Sequence, residues 1–210
     1  MTNKGQLIIM SGFSGAGKGT ITKMLVDSYP EEYALSISAT TRAPREGEVD
    51  GKHYFFLEKT TFEQMIDEEA FLEYAQYVGN YYGTPKHYVK EQMEKGKNVI
   101  LEIEIQGALQ VKKIMPEALL VFITPPSANE LELRLRGRGT ETDEVIASRM
   151  ARAVQEAEGC EVYDYLVVND KLDESVALIH QIIQTERHKM SLNIDFINQI
   201  RHELKEMKGE

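Results

Sequence analysis

The chain has 210 residues, 42% apolar and 28% charged, an ordinary globular mix long enough for one sizeable domain or a core with an inserted lobe. Its 34 Asp and Glu against 24 Lys and Arg leave a formal net charge of −10. That excludes nucleic acid held by charge alone but leaves local basic sites free to bind small anions. One cysteine, Cys160, rules out an internal disulfide. No apolar run reaches spanning length and "MTNKGQ" lacks a secretory apolar region, so a cytoplasmic protein without a membrane partner is expected.

In chain order, "QLIIMS" (6–11) predicts a buried strand and 18–28 a helix. Between them lies "GFSGAGKGT", in which Gly12, four further residues, Gly17 and Lys18 fit the phosphate-loop pattern. Glycines let backbone N–H groups turn inward around a polyphosphate, the lysine reaches the terminal phosphates, and the helix start adds its positive dipole end. The loop candidates are Gly12, Phe13, Ser14, Gly15, Ala16, Gly17, Lys18, Gly19 and Thr20. The pattern asks for Ser or Thr directly after the lysine, and Gly19 stands there. No direct protein ligand to Mg²⁺ is therefore assigned, with Thr20 as the candidate and phosphate oxygens and water as the alternative.

From about 34 to 90 the strand–helix alternation breaks, with strand-like "HYFFL" and "EYAQYV", one short helix and many Tyr, Arg and Gly. This reads as an inserted small lobe. Arg42 and Arg45 bracket Pro44, a spacing suited to gripping a phosphate, and Tyr54 and Tyr82 can add hydroxyl donors. Capping boxes are predicted at Thr60–Glu63 and Ser127–Glu130, with Pro85 a first-turn proline capped by Thr84.

Beyond the lobe, strands are predicted at 98–105, 118–124 and 164–169, and helices at 106–115, 127–136, 143–158 and 173–188. In "LEIEIQGA" the first strand places Leu101, Ile103 and Ile105 on one face and Glu102 and Glu104 on the other, pointing into a cleft. Direct base contact by these carboxylates and an organising role toward arginines or metal-bound water both remain open. Gly107 is expected to allow a close approach where the next helix begins. "RLRGRGTETDE" (134–144) reads as a mobile lid. The tail 191–210 carries Ile197, Ile200, Leu204 and Met207 at helical spacing, expected to pack on the core or on another subunit.

Taken in order after the phosphate loop, "SATTRAPREGEVDGKHYFF", "FLEYAQYVGNYYGTP", "LEIEIQGA", "ITPPS", "RLRGRGTET" and "VVND" closely resemble the guanylate kinases, over about residues 6–185. The resemblance implies an α/β fold: a three-layer P-loop kinase core with a parallel sheet, an inserted GMP-binding lobe and a short lid. The matching division is core 1–34 and 97–190 (lid about 136–150), lobe 35–96 and helical tail 191–210. It implies transfer of the ATP γ-phosphoryl group to GMP with Mg²⁺, in a monomer or homodimer. It carries the GMP phosphate onto Arg42, Arg45, Tyr54 and Tyr82, and the guanine reader onto Glu73, with Ser38 and Thr84 in hydroxyl contact. Relatives usually have Ser where Thr84 stands, and many have Asp at one or both of the positions of Glu102 and Glu104. The catalytic set implied is Lys18, Arg138 and Arg149, with Asn169 beside the adenine pocket.

Two other functions fit less well. Binding modules of this family commonly lose the loop lysine or glycines, whereas Lys18, Gly15 and Gly17 are present. A kinase for another phosphate would lack the guanine reader, which argues against it here.

Overall fold

A computed structural model describes residues 4–137 and 142–208. The apolar runs form a parallel sheet: β1 (Leu7–Gly12), β2 (Tyr33–Leu35), β7 (Asn98–Glu102), β8 (Leu119–Thr124) and β9 (Tyr165–Val168), ordered β2-β7-β1-β8-β9. Strands of a parallel sheet are covered on both faces, so they read as unbroken apolar runs rather than as alternation. In β1, Ile8 and Met10 enter one core with Ile21 and Leu25 of α1 (Lys18–Ser28) and Val176, Ile179 and Ile183 of α7 (Leu172–Glu186). Leu7 and Ile9 enter the other with Val89 and Met93 of α3 (Lys86–Glu94) and Ala108 and Val111 of α4 (Ile105–Ile114). The middle layer thus lies between helices, an arrangement that gathers the strands' carboxyl ends into a ligand-binding crevice.

A second sheet departs from this plan. It comprises β3 (Ala39–Thr40), β4 (Phe55–Phe56), β5 (Phe71–Tyr77) and β6 (Asn80–Pro85), ordered β4-β3-β6-β5, with the β5–β6 pair antiparallel. Helix α2 (Lys59–Asp67) covers it through Phe62, whose ring stacks on Phe71 and Tyr81 at 4.3 and 5.2 Å. Leu72 of β5 leaves this small core for the one shared with α4, so the lobe is anchored on the larger sheet. The remaining helices are α5 (Ala128–Arg136), α6 (Asp143–Ala157) and α8 (Ile194–Lys208). Leu131, Leu135, Ile146 and Ala153 pack α5 against α6, with Phe13 of the phosphate loop against them.

Several sequence expectations need correction. Strand β7 ends at Glu102, its last pairing being Met10 with Glu102, because the Ser11 hydroxyl then takes the Ile103 carbonyl at 2.6 Å. Glu104 is the residue that precedes α4, so Glu102 and Glu104 do not share a strand face. Helix α2 begins at Lys59 behind Glu58, which leaves Thr60 inside the helix rather than capping it. Thr84 does not cap α3, since its hydroxyl points to Glu73 and Pro85 holds the cap position. The box at Ser127 is half formed: Ser127 Oγ accepts from Glu130 N at 3.1 Å, while Glu130 turns to Arg134 at 2.7 Å. The tail forms its helix, with Ile197 and Ile200 half-buried and Leu204 and Met207 55% and 85% exposed.

Candidate active site

The glycine-rich loop follows β1 and opens α1 at Gly17, in left-handed conformation at φ 95°. A Cβ there would meet Asn169 Nδ2 at 2.5 Å, and one on Gly12 would meet the Ile123 carbonyl at 2.0 Å. Both positions therefore require glycine, sterically as well as conformationally. Among the described residues no side chain caps α1 and no acidic residue stands in its first turn, so its leading N–H groups face an incoming anion. Lys18 Nζ folds over the loop and donates to the Gly12 and Phe13 carbonyls at 2.6 and 3.1 Å. Ala16 is fully buried, and Phe13 contributes its carbonyl while its ring packs edge-on against Phe122.

Asn169 lies at the end of β9, 6% exposed. Its Nδ2 donates to the Ala16 carbonyl at 2.8 Å, and its Oδ1 accepts from Ser175 at 3.2 Å. Asn169, expected beside an adenine pocket, thus also braces the loop through the Ala16 carbonyl. Gly19 and Thr20 are exposed on the first turn, and a Cβ on Gly19 would sit 3.7 Å from Glu102 Oε2. Lys18, Ser14, Glu102 and Glu104 line one cavity of about 220 Å³, together with Arg152 and Glu156.

The lobe gathers a different set. The Arg42 guanidinium lies 5.5 Å over the Tyr54 ring and 5.8 Å over the Phe56 ring, and Tyr54 meets Tyr82 edge-on at 6.2 Å. Glu48 receives both arms of Arg42, at 3.0 and 2.9 Å, and the Arg45 backbone N–H at 2.6 Å. This pairing lowers the Glu48 carboxyl and raises the Arg42 guanidinium from their ordinary values, keeping both charged. The Arg45 side chain is exposed, and Ser38 is half-buried, its carbonyl accepting from Phe55 N.

Glu73 of β5 is buried, and Thr84 Oγ1 donates to its Oε1 at 2.6 Å. Burial pushes its carboxyl above the ordinary value, against the lowering effect of the Thr84 hydrogen bonds. The carboxylate approaches the start of α4, where a Cβ on Gly107 would come within 3.4 Å of its Oε2. The tighter neighbour of that Cβ is Ile103 Cδ1, at 3.2 Å.

Arg149 of α6 reaches Ser14 Oγ at 3.4 Å. Arg138 lies outside the described residues. Arg136 joins Glu132 to Asp143, a tie between α5 and α6 on the surface. Sequence reasoning missed Glu48, Arg152 and Glu156. Glu48 carried a signal, an acid three residues beyond Arg45 in a tight loop; the other two read as ordinary helix-surface charges.

Among the described residues no helix is long and apolar enough to cross a membrane, and no group of three His, Cys, Asp or Glu could hold a metal ion. The sequence model of the guanylate kinases matches residues 4–186. The chain is 50% identical over 190 residues to a guanylate kinase of Streptococcus thermophilus, covering 90% of this chain and 91% of that one. It is 49% identical over 200 residues to one of Caldanaerobacter subterraneus subsp. tengcongensis, covering 95% and 97%. Among solved structures, the crystal structure of guanylate kinase from Anaplasma phagocytophilum is similar at a TM-score of 0.69 and 30% identity, over 90% of each chain. A phosphate loop on a parallel sheet, an arginine- and tyrosine-rich lobe beside it and these likenesses agree: the chain belongs to the guanylate kinase family.

Proposed function

We propose that the chain transfers the γ-phosphoryl group of ATP to GMP, giving ADP and GDP, with the donor on the Lys18 loop and the acceptor on the lobe. The observation that carries the acceptor assignment is the buried Glu73 with Thr84 on one of its oxygens. Guanine presents N1–H and N2–H₂ side by side, and one carboxylate accepts both; adenine lacks that pair of donors. A buried carboxylate left without its N–H partners is costly, so the site discriminates strongly against adenine. Ser38 and Thr84 add short hydroxyl contacts to the base. Arg42, with Tyr54 and Tyr82 around it, and Arg45 take the GMP phosphate.

On the donor side, loop amides and the α1 start hold the polyphosphate while Lys18 and the lid arginines Arg138 and Arg149 neutralise the moving group. Phosphoryl transfer passes through a loose transition state, so positioning and charge supply most of the catalysis. The acceptor phosphate is already an anionic nucleophile, so no side chain is needed as general base.

The donor set fits a Mg²⁺ ion carried by the nucleotide: Glu102, with Oε2 near Gly19, and the exposed Thr20 hydroxyl are hard oxygen donors beside the loop. When bound, the ion supplies charge neutralisation between the phosphates. The core, lobe and lid divide the work as 1–34 with 97–190, 35–96 and about 136–150.

The test is an ADP-release assay with ATP, Mg²⁺ and GMP, AMP, CMP or UMP in turn. Turnover confined largely to GMP is expected. Equal rates with AMP and GMP would remove the base-reader assignment, and no turnover with any acceptor would favour a binding module.

A further inference from the structure

Helix α6 holds the phosphate loop by two side chains that meet the same residue. Arg149 donates to Ser14 Oγ, and Glu156 Oε2 accepts from the Ser14 backbone N–H at 3.3 Å. The second contact is chemically pointed. A backbone N–H of a glycine-rich loop between strand and helix is the group a polyphosphate oxygen needs, and a carboxylate of the protein takes it. The Glu156 side chain is only 16% exposed, and its Oε1 lies 3.2 Å from Arg152 Nε, one turn earlier on α6. Arg152 also pairs through Nη2 with Glu104, the residue that precedes α4. Ser14, Lys18, Glu104, Arg152 and Glu156 all line the same cavity, so these charges form a wall of the donor site.

We propose that Glu156 is a positioning residue for the donor: an internal anion on the Ser14 amide that a phosphate oxygen of ATP replaces, with Arg152 linking that exchange to Glu104, which holds the cap position at the start of α4, where Gly107 approaches Glu73 on the acceptor side. This rests on reading the Lys18 loop as the ATP site. Charge sets the direction of the effect. The polyphosphate and the Glu156 carboxylate have the same sign and need the same N–H, so each disfavours the other. Arg152 divides its guanidinium between two carboxylates. Engagement of Glu104 from the acceptor side leaves Arg152 to Glu156, draws that carboxylate toward the guanidinium and releases the Ser14 amide. Departure of Glu156 from the loop likewise loosens the hold of Arg152 on Glu104. The two nucleotides then favour each other's binding, and such a coupling is reciprocal.

The experiment measures binding of a non-hydrolysable ATP analogue to the full chain, with and without GMP. Glu156→Gln removes the like charge and Glu156→Ala removes the competing acceptor altogether. Both are expected to bind the analogue more tightly, Ala more than Gln, by roughly three- to tenfold, the net scale of one ordinary hydrogen bond. Arg152→Gln is expected to erase the dependence of analogue affinity on GMP that the unmodified chain shows. Weaker analogue binding in both Glu156 variants, the result of a merely structural tie, overturns the proposal. So does a GMP dependence that Arg152→Gln leaves unaltered, or none in the unmodified chain. Failure of the unmodified chain to bind the analogue at all would instead sink the reading of the loop as the ATP site.

Discussion

The two phosphate sites proposed for this molecule are built from different materials. The donor loop is backbone: glycine φ angles, N–H groups at the start of α1 and an asparagine bracing one carbonyl, with Lys18 the one long cation drawn from the loop itself. The acceptor site is side chains: a guanidinium stacked on aromatic rings, a carboxylate holding it, and a buried Glu with a hydroxyl on one oxygen. A backbone site binds any polyphosphate of the right shape and tolerates little change in its glycines. A side-chain site selects one base and one phosphate, and each of its members can be removed singly. On the proposed reading the loop supplies the reaction and the lobe supplies its specificity.

Single substitutions separate the two sites. Lys18→Ala removes charge from the moving phosphoryl group and is expected to lower kcat by about a thousandfold with little change in the KM for GMP; near-normal turnover would strip the lysine of that role. Glu73→Gln turns an acceptor of two N–H groups into a group with its own donors, and kcat/KM for GMP should fall by roughly a hundredfold. An unaltered KM for GMP would break the contrast at its acceptor end. Arg45→Ala should raise the KM for GMP by about tenfold, the worth of one charge-assisted contact, while the KM for ATP moves little. Equal effects on both substrates would mean the lobe is not a dedicated acceptor site.

The smallest effect expected is a pH dependence. Burial raises the Glu73 carboxyl, so the folded chain holds that proton more tightly than the unfolded chain does. The sign follows: the charged Glu73 opposes stability above the unfolded value, and that opposition relaxes as pH falls through the raised folded value. Guanine's donors need the charged form, so the KM for GMP should climb as pH falls, beginning above the ordinary carboxylate range. A KM for GMP that stays flat over that interval, while the KM for ATP changes, would reverse the expected pattern.

The same contrast explains what could be read in the sequence. A loop made of glycines announces itself because φ and close approach leave few alternatives at Gly12 and Gly17. The arginines and Glu73 became legible only through the run of family motifs, since one Glu on a strand looks like any other. Glu104 was misplaced because alternation continues through "LEIEI" while the ladder does not; the Ser11 hydroxyl ends it at Ile103. Thr84 looked like a helix cap because hydroxyl, proline and helix stood in the right order. A buried carboxylate across the strand pair drew the hydroxyl away. Arg152 and Glu156 sit at i and i+4 on α6, the pattern of an ordinary surface pair. Only the tertiary position of Ser14 distinguishes them.

The start of α1 has one more consequence. With glycine at its cap position and no acid in its first turn, the helix lacks the termination that proteins usually give themselves. On the proposed reading a phosphate completes it, and the donor is in effect the missing structural piece of the enzyme that consumes it. Folding and nucleotide supply are then linked by mass action. At a hundred times its dissociation constant, a ligand that binds only the folded chain adds about 2.7 kcal/mol of stability. The melting temperature of this protein should therefore follow the ATP level around it.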